Sequence, residues 1–513
     1  MLVHNFLENS AQRFPEQPAV WFSGKWKTYA EIEQKANQCA NFLVQSGVQR
    51  GDRIAILSDN SFNYVVLYYA ILKSGAITVE LNNELMPDDI AYLMNDSGAR
   101  GIFVQKKYNR LFQKALPNIS SLDFLIAEEN AEQWDKHFSG LKISLSTIFS
   151  QFSDNPCGVR SIDLDLASIV YTSGSTGKPK GVMLSHLNLV TNTRSIVEYL
   201  ELTERDRIMV ILPFYYVYGK TLLNTHFFVG GSVVIDNRFV FPNTVLKTMQ
   251  ETACTGFAGV PSTFSILLHK TNVQEYQFPA LRYVTQAGGA MAPSLQKQVA
   301  FAFYPAQLYI MYGATEASAR LSYLHPRDLP RKWGSIGKAI PNVELFVADE
   351  HGRPLPPGQT GELVARGANI MQGYWNDEAE TRRVLRNGLY FTGDLGVMDE
   401  EGFLYVVGRS KDMIKVGANR ISAKEIEEKL VAFEPILEIA VVGIPDEILG
   451  EAIKAFIVPK DGVELTKEAV IQFARSVLPS YKIPREIEFV KKLPKNKSGK
   501  IIKHKLKKEA YHD

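Results

Sequence analysis

The chain has 513 residues, more than one hydrophobic core usually serves, so we expect at least two domains. Hydrophobic residues make up 45% and charged residues 22% of the sequence, which is typical of a soluble globular protein. A net charge of +2 excludes a general attraction to nucleic acid or to a membrane surface.

The cysteines and the N-terminus indicate the compartment. Cys39, Cys157 and Cys254 are widely spaced and odd in number, which supports neither a disulfide framework nor a metal cluster. The N-terminus lacks a basic stretch followed by an apolar core, and no run of about 18 apolar residues occurs. We therefore expect a cytoplasmic protein with no transmembrane segment.

Short β-rich runs alternate with helical patterns through most of the chain. An amphipathic helix is predicted at 29–45, and candidate strands are 53–57, 101–104, 208–212, 232–235 and 283–286. This alternation predicts α/β architecture with largely parallel sheets. From residue 334 the pattern changes to short strands and Gly/Pro turns, which favours a smaller β-rich subdomain.

A domain boundary is predicted near residues 399–412, where acidic residues are followed by a charged stretch. Beyond it, Ser422 and Glu425 form a capping-box pattern that begins a helix through Leu430. Strands are predicted at 439–442 and 455–458. We expect a large domain at 1–410 and a small α+β domain at 411–513.

One segment concentrates groups that can hold phosphate. Residues 171–182 read Tyr-Thr-Ser-Gly-Ser-Thr-Gly-Lys-Pro-Lys-Gly-Val. The candidate phosphate-binding residues are Thr172, Ser173, Gly174, Ser175, Thr176, Gly177 and Lys180. The spacing is not that of a Walker A loop, but backbone N–H groups, hydroxyls and lysines can grip a polyphosphate. A strand at 167–171 and a helix at 185–200 fit this interpretation, and a solvated linker is the alternative.

Two further segments carry groups suited to a nucleotide. Residues 312–316, Tyr-Gly-Ala-Thr-Glu, follow an apolar run and place an aromatic ring, a hydroxyl and a carboxylate together. An aromatic ring can stack on a purine, and a carboxylate can anchor a magnesium ion that keeps several waters. Residues 390–394 end in Asp394, a carboxylate after a turn that suits ribose hydroxyls. Each segment alone is also compatible with an ordinary turn.

Residues 72–76, 212–219, 408–415 and 494–500 complete an ordered series with these segments. Together they resemble the motifs of the acyl-adenylate-forming superfamily, which includes acyl-CoA synthetases, peptide-synthetase adenylation domains and luciferases. The resemblance covers nearly the whole chain. It implies ATP, Mg²⁺ and coenzyme A as reactants, and a carboxylic acid that first becomes an acyl-adenylate and then a thioester.

The resemblance also assigns roles near the phosphates. Lys500 is the implied catalytic lysine, which bridges the acid and the α-phosphate; a solvated lysine-rich face at 491–508 is the alternative. Thr315 and Glu316 are implied to contact phosphate and magnesium, with Glu316 as the metal ligand. Lys411 is the implied hinge of a mobile C-terminal domain, and Lys415 is implied to face the site during thioester formation.

The remaining implied contacts hold the nucleoside and the acid. Asp394 and Arg409 would bind the ribose. The implied adenine-side residues are Tyr312, Gly313, Gly288, Gly289 and Ala290, and the implied acid pocket includes Tyr216, Gly219 and Gly288. Tyr215, Tyr218, Phe257 and Phe264 either extend an apolar pocket or belong to the core.

The acid itself is less well specified. Residues 213–224 contain no acidic side chain, which argues against an amino-acid substrate. Tyr216 stands where many relatives carry histidine, and tyrosine cannot become cationic at neutral pH. A medium- or long-chain fatty acid is the first expectation and an aromatic acid the second. The acceptor is coenzyme A or the phosphopantetheine of an acyl carrier protein.

Two other functional classes fit the sequence less well. Nucleic-acid binding would rest on 491–508 alone, because 57 basic residues are balanced by 55 acidic ones, so we expect no nucleic-acid partner. A noncatalytic adenylate-binding scaffold would be expected to lack at least one of the implied residues, and none is missing. A homodimer is left open.

Overall fold

The computed structural model describes residues 1–172, 179–409, 413–416, 419–446, 450–495 and 501–510. The described strands are β1 Pro18–Phe22, β2 Lys25–Thr28, β3 Arg53–Leu57, β4 Ile77–Glu80, β5 Gly101–Val104, β6 Phe124–Ala127, β7 Leu141–Ser144, β8 Leu166–Thr172, β9 Lys180–Ser185, β10 Arg207–Val210, β11 Ser232–Ile235, β12 Gly256–Gly259, β13 Tyr283–Gln286, β14 Gln307–Tyr312, β15 Ser322–Leu324, β16 Lys338–Ala339, β17 Val343–Ala348, β18 Thr360–Gly367, β19 Gly373–Tyr374, β20 Leu385–Arg386, β21 Leu389–Met398, β22 Leu404–Arg409, β23 Met413–Val416, β24 Asn419–Ser422, β25 Ile436–Asp446, β26 Gly450–Pro459 and β27 Glu486–Phe489. The helices are α1 Asn5–Arg13, α2 Tyr29–Gln45, α3 Phe62–Lys73, α4 Pro87–Ser97, α5 Asn109–Ala115, α6 Leu145–Gln151, α7 His186–Leu200, α8 Val217–Val229, α9 Pro242–Glu251, α10 Pro261–Lys270, α11 Pro293–Ala302, α12 Glu378–Val384, α13 Ala423–Leu430, α14 Lys467–Val477 and α15 Lys503–Ala510.

Two large, mostly parallel sheets form the body of the protein. One has the order β16-β15-β14-β13-β12-β10-β11-β1-β2, and the other has the order β19-β9-β8-β4-β3-β5-β6-β7. Helices α3 and α8 are apolar on nearly every side and lie in one hydrophobic core with strands of both sheets. Such burial explains why these helices lack a polar face.

A third sheet, β17-β18-β21-β20 with β22 beside β21, forms the β-rich subdomain that the sequence predicts. The fourth sheet contains strands from Met413 onward and carries α13 and α14 in one apolar cluster and α15 in another. The predicted fold class, a large α/β domain with a β-rich subdomain and a small α+β domain, is confirmed. The boundary at residue 410 and the mobility of the small domain stay predictions.

Local patterns predicted several elements well. The helix at 29–45 begins after a capping box in which Thr28 and Glu31 exchange hydrogen bonds. The predicted strand 208–212 ends earlier, at Val210. The reason is Asn60, whose side chain donates to the Leu212 carbonyl and accepts from the Phe214 amide, so that the backbone leaves the sheet there.

Among the helices that the structure describes, none has both the length and the apolar character needed to cross a membrane.

Candidate active site

A cavity of about 830 Å³ lies between the two large sheets and the β-rich subdomain. It collects predicted residues from strands and turns that are far apart in the chain. These residues are Thr172, Lys180, Tyr216, Gly219, Gly288, Gly313, Thr315, Glu316, Asp394 and Arg409. Their convergence supports a single site.

An adjoining cavity of about 270 Å³ shares Gly288, Gly313, Asp394 and Arg409 with the first. Its other predicted lining residues are Gly289, Ala290 and Tyr312. The C-terminal domain closes this cavity with Lys424 and Glu427 of α13 and Lys503 of α15. Both domains therefore contribute to the cleft.

Some predicted residues cannot be placed in this geometry. Ser173, Gly174, Ser175, Thr176, Gly177, Lys411 and Lys500 lie outside the described residues. Lys415 lies in β23, with its Cα opposite that of Arg420 in β24. The roles that the sequence gives these residues stay predictions.

The predicted phosphate segment begins and ends in an antiparallel hairpin. Strands β8 and β9 pair so that the Cα of Thr172 lies opposite that of Lys180. Lys180 Nζ lies 2.6 Å from Glu380 Oε1 on α12 and 5.5 Å from the centre of the Tyr374 ring. Sequence analysis missed Glu380, because nothing local connects it to a lysine two hundred residues earlier.

Glu380 has a strongly depressed pKa. Two hydrogen bonds from Arg383 lower it most, the contact with Lys180 adds to this effect, and burial opposes it, leaving a pKa of about 2. A carboxylate whose pKa is depressed in the folded state stabilises the protein at pH values above its pKa in the unfolded state, which is near 4.5. That contribution is lost as the pH falls toward 2.

We expect the difference in unfolding free energy between wild type and Glu380→Gln to be constant near neutral pH. It should shrink as the pH falls below about 4.5, because protonation of Glu380 removes the interaction that the variant already lacks. Urea unfolding at a series of pH values measures this difference. Glu378→Gln is the matched control on the same helix, where an exposed pair with Arg382 contributes little. A difference that persists undiminished near pH 3 would contradict the assignment.

Glu316 is held at the edge of the cavity by a tight turn. It lies in the short 3₁₀ helix Thr315–Ala317, and its Oε1 accepts a 2.8 Å hydrogen bond from the Tyr374 hydroxyl. Gly313 is required just before this turn, because a Cβ there would lie 1.9 Å from the Ala319 carbonyl oxygen. The second carboxylate oxygen and the Thr315 hydroxyl suit a magnesium ion that also takes phosphate oxygens and waters.

Asp394 is a buried carboxylate that accepts hydrogen bonds from two described side chains. Tyr312 donates its hydroxyl to Oδ2 at 2.7 Å, and Arg409 Nε donates to Oδ1 at 2.8 Å from the neighbouring strand. Burial and the Asp394 charge raise the pKa of Tyr312 well above its usual value, so the phenol stays protonated. Asp394 was predicted to follow a turn, but it lies inside β21, where Gly393 at φ +74° accompanies an irregularity in the strand pairing.

The acid side of the cavity is built around the start of α8. Tyr216 immediately precedes this helix, and its ring centre lies 4.7 Å from that of Tyr215. Gly219 is sterically required, since a Cβ would lie 2.1 Å from the Pro213 carbonyl oxygen. Gly288 takes a left-handed conformation at φ +83° beside Val260.

For two of the aromatic residues that were assigned either to a pocket or to the core, the structure favours the core. Phe257 and Phe264 are fully buried and pack edge to face on each other, and both contact Phe303. Tyr215 and Tyr218 do line the cavity.

The structure adds two charged residues that the sequence interpretation did not single out. Glu80 at the end of β4 and Arg320 after the Glu316 turn both line the large cavity. Arg320 could have been noticed as a charged residue next to a predicted site segment. Glu80 gave no such signal, because its partner Lys220 lies 140 residues later.

Comparison with known proteins agrees with this geometry. The AMP-binding enzyme family model matches residues 7–375, and the AMP-binding enzyme C-terminal domain model matches residues 425–500. The chain therefore belongs to the AMP-binding enzyme family, as the motif resemblance predicts. Its class is that of an AMP-forming acyl-CoA synthetase.

Among curated relatives, a long-chain-fatty-acid–CoA ligase of Bacillus subtilis is 33% identical, with 99% of this chain and 94% of the relative covered. Among solved structures, the anthranilate CoA ligase AuaEII in complex with anthranoyl-AMP is 27% identical and superposes with a TM-score of 0.91, covering 99% of this chain and 97% of that one. ATP-bound MatB of Rhodopseudomonas palustris is also 27% identical, with a TM-score of 0.88 and 99% of both chains covered.

Proposed function

We propose that this protein uses ATP to activate a carboxylic acid and then transfers the acyl group to coenzyme A. The observation that carries the proposal is the single cavity that joins the phosphate hairpin, Glu316, the Asp394–Arg409 pair and the start of α8. The relatives named as CoA ligases, and the similar structures that hold an acyl-adenylate or ATP, support it.

In the first half-reaction, a carboxylate oxygen of the acid attacks the α-phosphorus of ATP. The bond from that phosphorus to the bridging oxygen breaks, and pyrophosphate leaves. The β8–β9 hairpin with Lys180 holds the β- and γ-phosphates, and Lys500 bridges the acid and the α-phosphate. Little covalent chemistry falls to the protein, so positioning and charge stabilisation provide most of the catalysis.

Asp394 and Arg409 orient the nucleoside in this proposal. The Asp394 oxygens accept from the ribose hydroxyls in addition to Tyr312 and Arg409, and the Tyr312 ring and the glycines near 288 pack against adenine. Glu316 with Thr315 is the group that fits magnesium, since its second oxygen has no protein donor among the described residues. Bound there, magnesium would neutralise charge on the phosphates.

In the second half-reaction, the thiol of coenzyme A attacks the acyl carbon and AMP leaves with the former carboxylate oxygen. The thiol proton passes to solvent or to the AMP phosphate. Lys415 on β23 faces the site in this step, after the small domain turns about Lys411. The phosphopantetheine of an acyl carrier protein is the alternative acceptor, because it presents the same thiol.

For the acid, a medium- or long-chain fatty acid is the first candidate and an aryl acid the second. The relative in Bacillus subtilis supports the first, and the superposition on an anthranilate CoA ligase supports the second.

The test is a substrate panel. Purified protein is incubated with ATP, magnesium and aliphatic, aromatic or amino acids, and pyrophosphate release is measured. We expect release with a fatty or aryl acid, and thioester formation when coenzyme A is added. Glu316→Gln should weaken release with every acid, because it replaces the charged magnesium ligand with a neutral amide. No release with any acid would favour a noncatalytic scaffold, and release with amino acids alone would overturn the interpretation of residues 213–224.

A further inference from the structure

Arg320 brings a buried positive charge to the wall of the acid pocket. The residue is 3% exposed, yet it lines the large cavity together with Tyr218, Gly219 and Gly288. Taking a guanidinium out of water is costly unless an opposite charge or a full set of acceptors compensates.

The protein groups around this guanidinium are neutral. Arg320 donates from Nη1 to the Ala319 carbonyl at 3.1 Å and from Nε to the Met311 sulfur at 3.3 Å. Its Cζ lies 4.2 Å above the Tyr218 ring. Burial raises the pKa of Tyr199, another neighbour, which is therefore a neutral phenol. Among the described residues, no carboxylate forms an ion pair with Arg320.

The position of Arg320 is fixed by its surroundings. The side-chain amides of Asn192 and Asn369 donate to its carbonyl oxygen at 3.1 and 2.8 Å. The Tyr218 hydroxyl, which would otherwise compete for an acceptor, is engaged with Thr285 on β13. A preorganised donor of this kind favours a planar anionic acceptor.

Arg320 also lines a second, much smaller cavity. This cavity has a volume of about 10 Å³ and is lined in part by Thr221, Thr225 and His226. That volume corresponds to about one water molecule. The small cavity therefore has no room for an acyl chain beside Arg320.

We propose that Arg320 binds a second carboxylate on the acyl part of the acid substrate, which makes the substrate a dicarboxylic acid with an aliphatic or aromatic skeleton. The inference rests on the proposed function and specifies the class of acid that serves as its substrate. The reacting carboxylate meets the α-phosphate of ATP, and the second carboxylate forms a bidentate pair with Arg320.

The experiment compares matched acids. Linear monocarboxylic acids are paired with the ω-dicarboxylic acids of equal length, and benzoate is paired with its carboxy-substituted forms. Each acid is tested in two measurements. The first is pyrophosphate release, and the second is the shift in the melting temperature of the protein with ATP present, a measurement that needs no turnover. We expect at least one diacid to exceed its monoacid partner about 10- to 100-fold in kcat/KM, as for a charge-assisted hydrogen bond.

Variants separate recognition from structure. Arg320→Met keeps a side chain of similar length without the charge and should remove the preference for the diacid, whereas Arg320→Lys should keep part of it. Arg327→Met, an exposed arginine a short distance along the chain, is the control and should keep the wild-type preference.

Equal losses with all acids in Arg320→Met, or a wild-type preference for monoacids or for neutral hydroxy acids, would overturn the proposal. Diacid-specific melting shifts without pyrophosphate release would overturn the proposed function and uphold the role of Arg320. Pyrophosphate release without a preference for diacids would uphold the proposed function and overturn the role of Arg320. The absence of both pyrophosphate release and diacid-specific melting shifts would overturn both proposals.

Discussion

Glu80→Gln is expected to lower the free energy of unfolding by about 3–5 kcal/mol, because it leaves the buried ammonium group of Lys220 without its counter-charge. Lys220 Nζ lies 2.5 Å from Glu80 Oε1, and the two side chains are 8% and 2% exposed. Thr78 donates to Oε1 and Ser168 to Oε2 of Glu80, so glutamine keeps an acceptor for one of these hydroxyls and loses the charge. Urea unfolding measures the change.

The pH dependence identifies the cause. Burial lowers the pKa of Lys220, and the Glu80 carboxylate opposes that shift. Without the carboxylate, the pKa of Lys220 falls further, so the folded state binds fewer protons than the unfolded state over a wider range below 10.5. Stability of the variant then rises with pH across that range, and its deficit relative to wild type should shrink toward alkaline pH.

Three further variants complete the test. In Glu80→Gln/Lys220→Met neither charge remains, and most of the lost stability should return, since replacing both members of a buried pair is often nearly neutral. Lys247→Met breaks an exposed pair with Glu251 and should change stability little. The single variant Lys220→Met completes this cycle. If the double variant loses as much stability as Glu80→Gln and Lys220→Met lose together, packing and not charge explains the loss.

Regular patterns made the framework predictable from sequence. The helix at 29–45 and the strands at 232–235 and 283–286 were predicted with the limits that the structure has. Each depends on a local signal, either a capping box or a short apolar run between turn residues. The prediction of a strand at 208–212 was less accurate, because a distant side chain, Asn60, redirects the backbone.

The site was predictable where one segment carries several chemical groups. The hairpin residues Thr172 and Lys180, the turn with Glu316, and Asp394 were found in this way, and the structure brings them to one cavity. Glu380 and Glu80 were missed because each acts through a partner far away in the chain. Lys220 did give a signal, since a lysine inside the largely apolar helix α8 must find an opposite charge when it is buried.

Lys500→Ala is expected to slow acid-dependent pyrophosphate release by about 100- to 1,000-fold, the usual cost of losing a preorganised group that stabilises developing charge. Lys500 lies outside the described residues, so this prediction rests on the sequence motif. The measurement is pyrophosphate release under saturating ATP and acid. Thioester formation from a supplied acyl-adenylate should be nearly unchanged, because the phosphoryl transfer that needs Lys500 has already taken place.

The control decides between catalysis and a solvated lysine-rich face. Lys505 lies in the same stretch, on α15, and is exposed. Lys505→Ala should leave both partial reactions intact if Lys500 acts on the α-phosphate, whereas a general electrostatic role of the stretch would give the two variants similar, salt-dependent losses.

Lys411→Pro is expected to have the opposite effect: restricting a hinge should spare adenylation and slow thioester formation. Opposite effects of Lys500→Ala and Lys411→Pro would show that one small domain serves two half-reactions in two orientations, while equal loss of both reactions in Lys411→Pro would contradict a hinge.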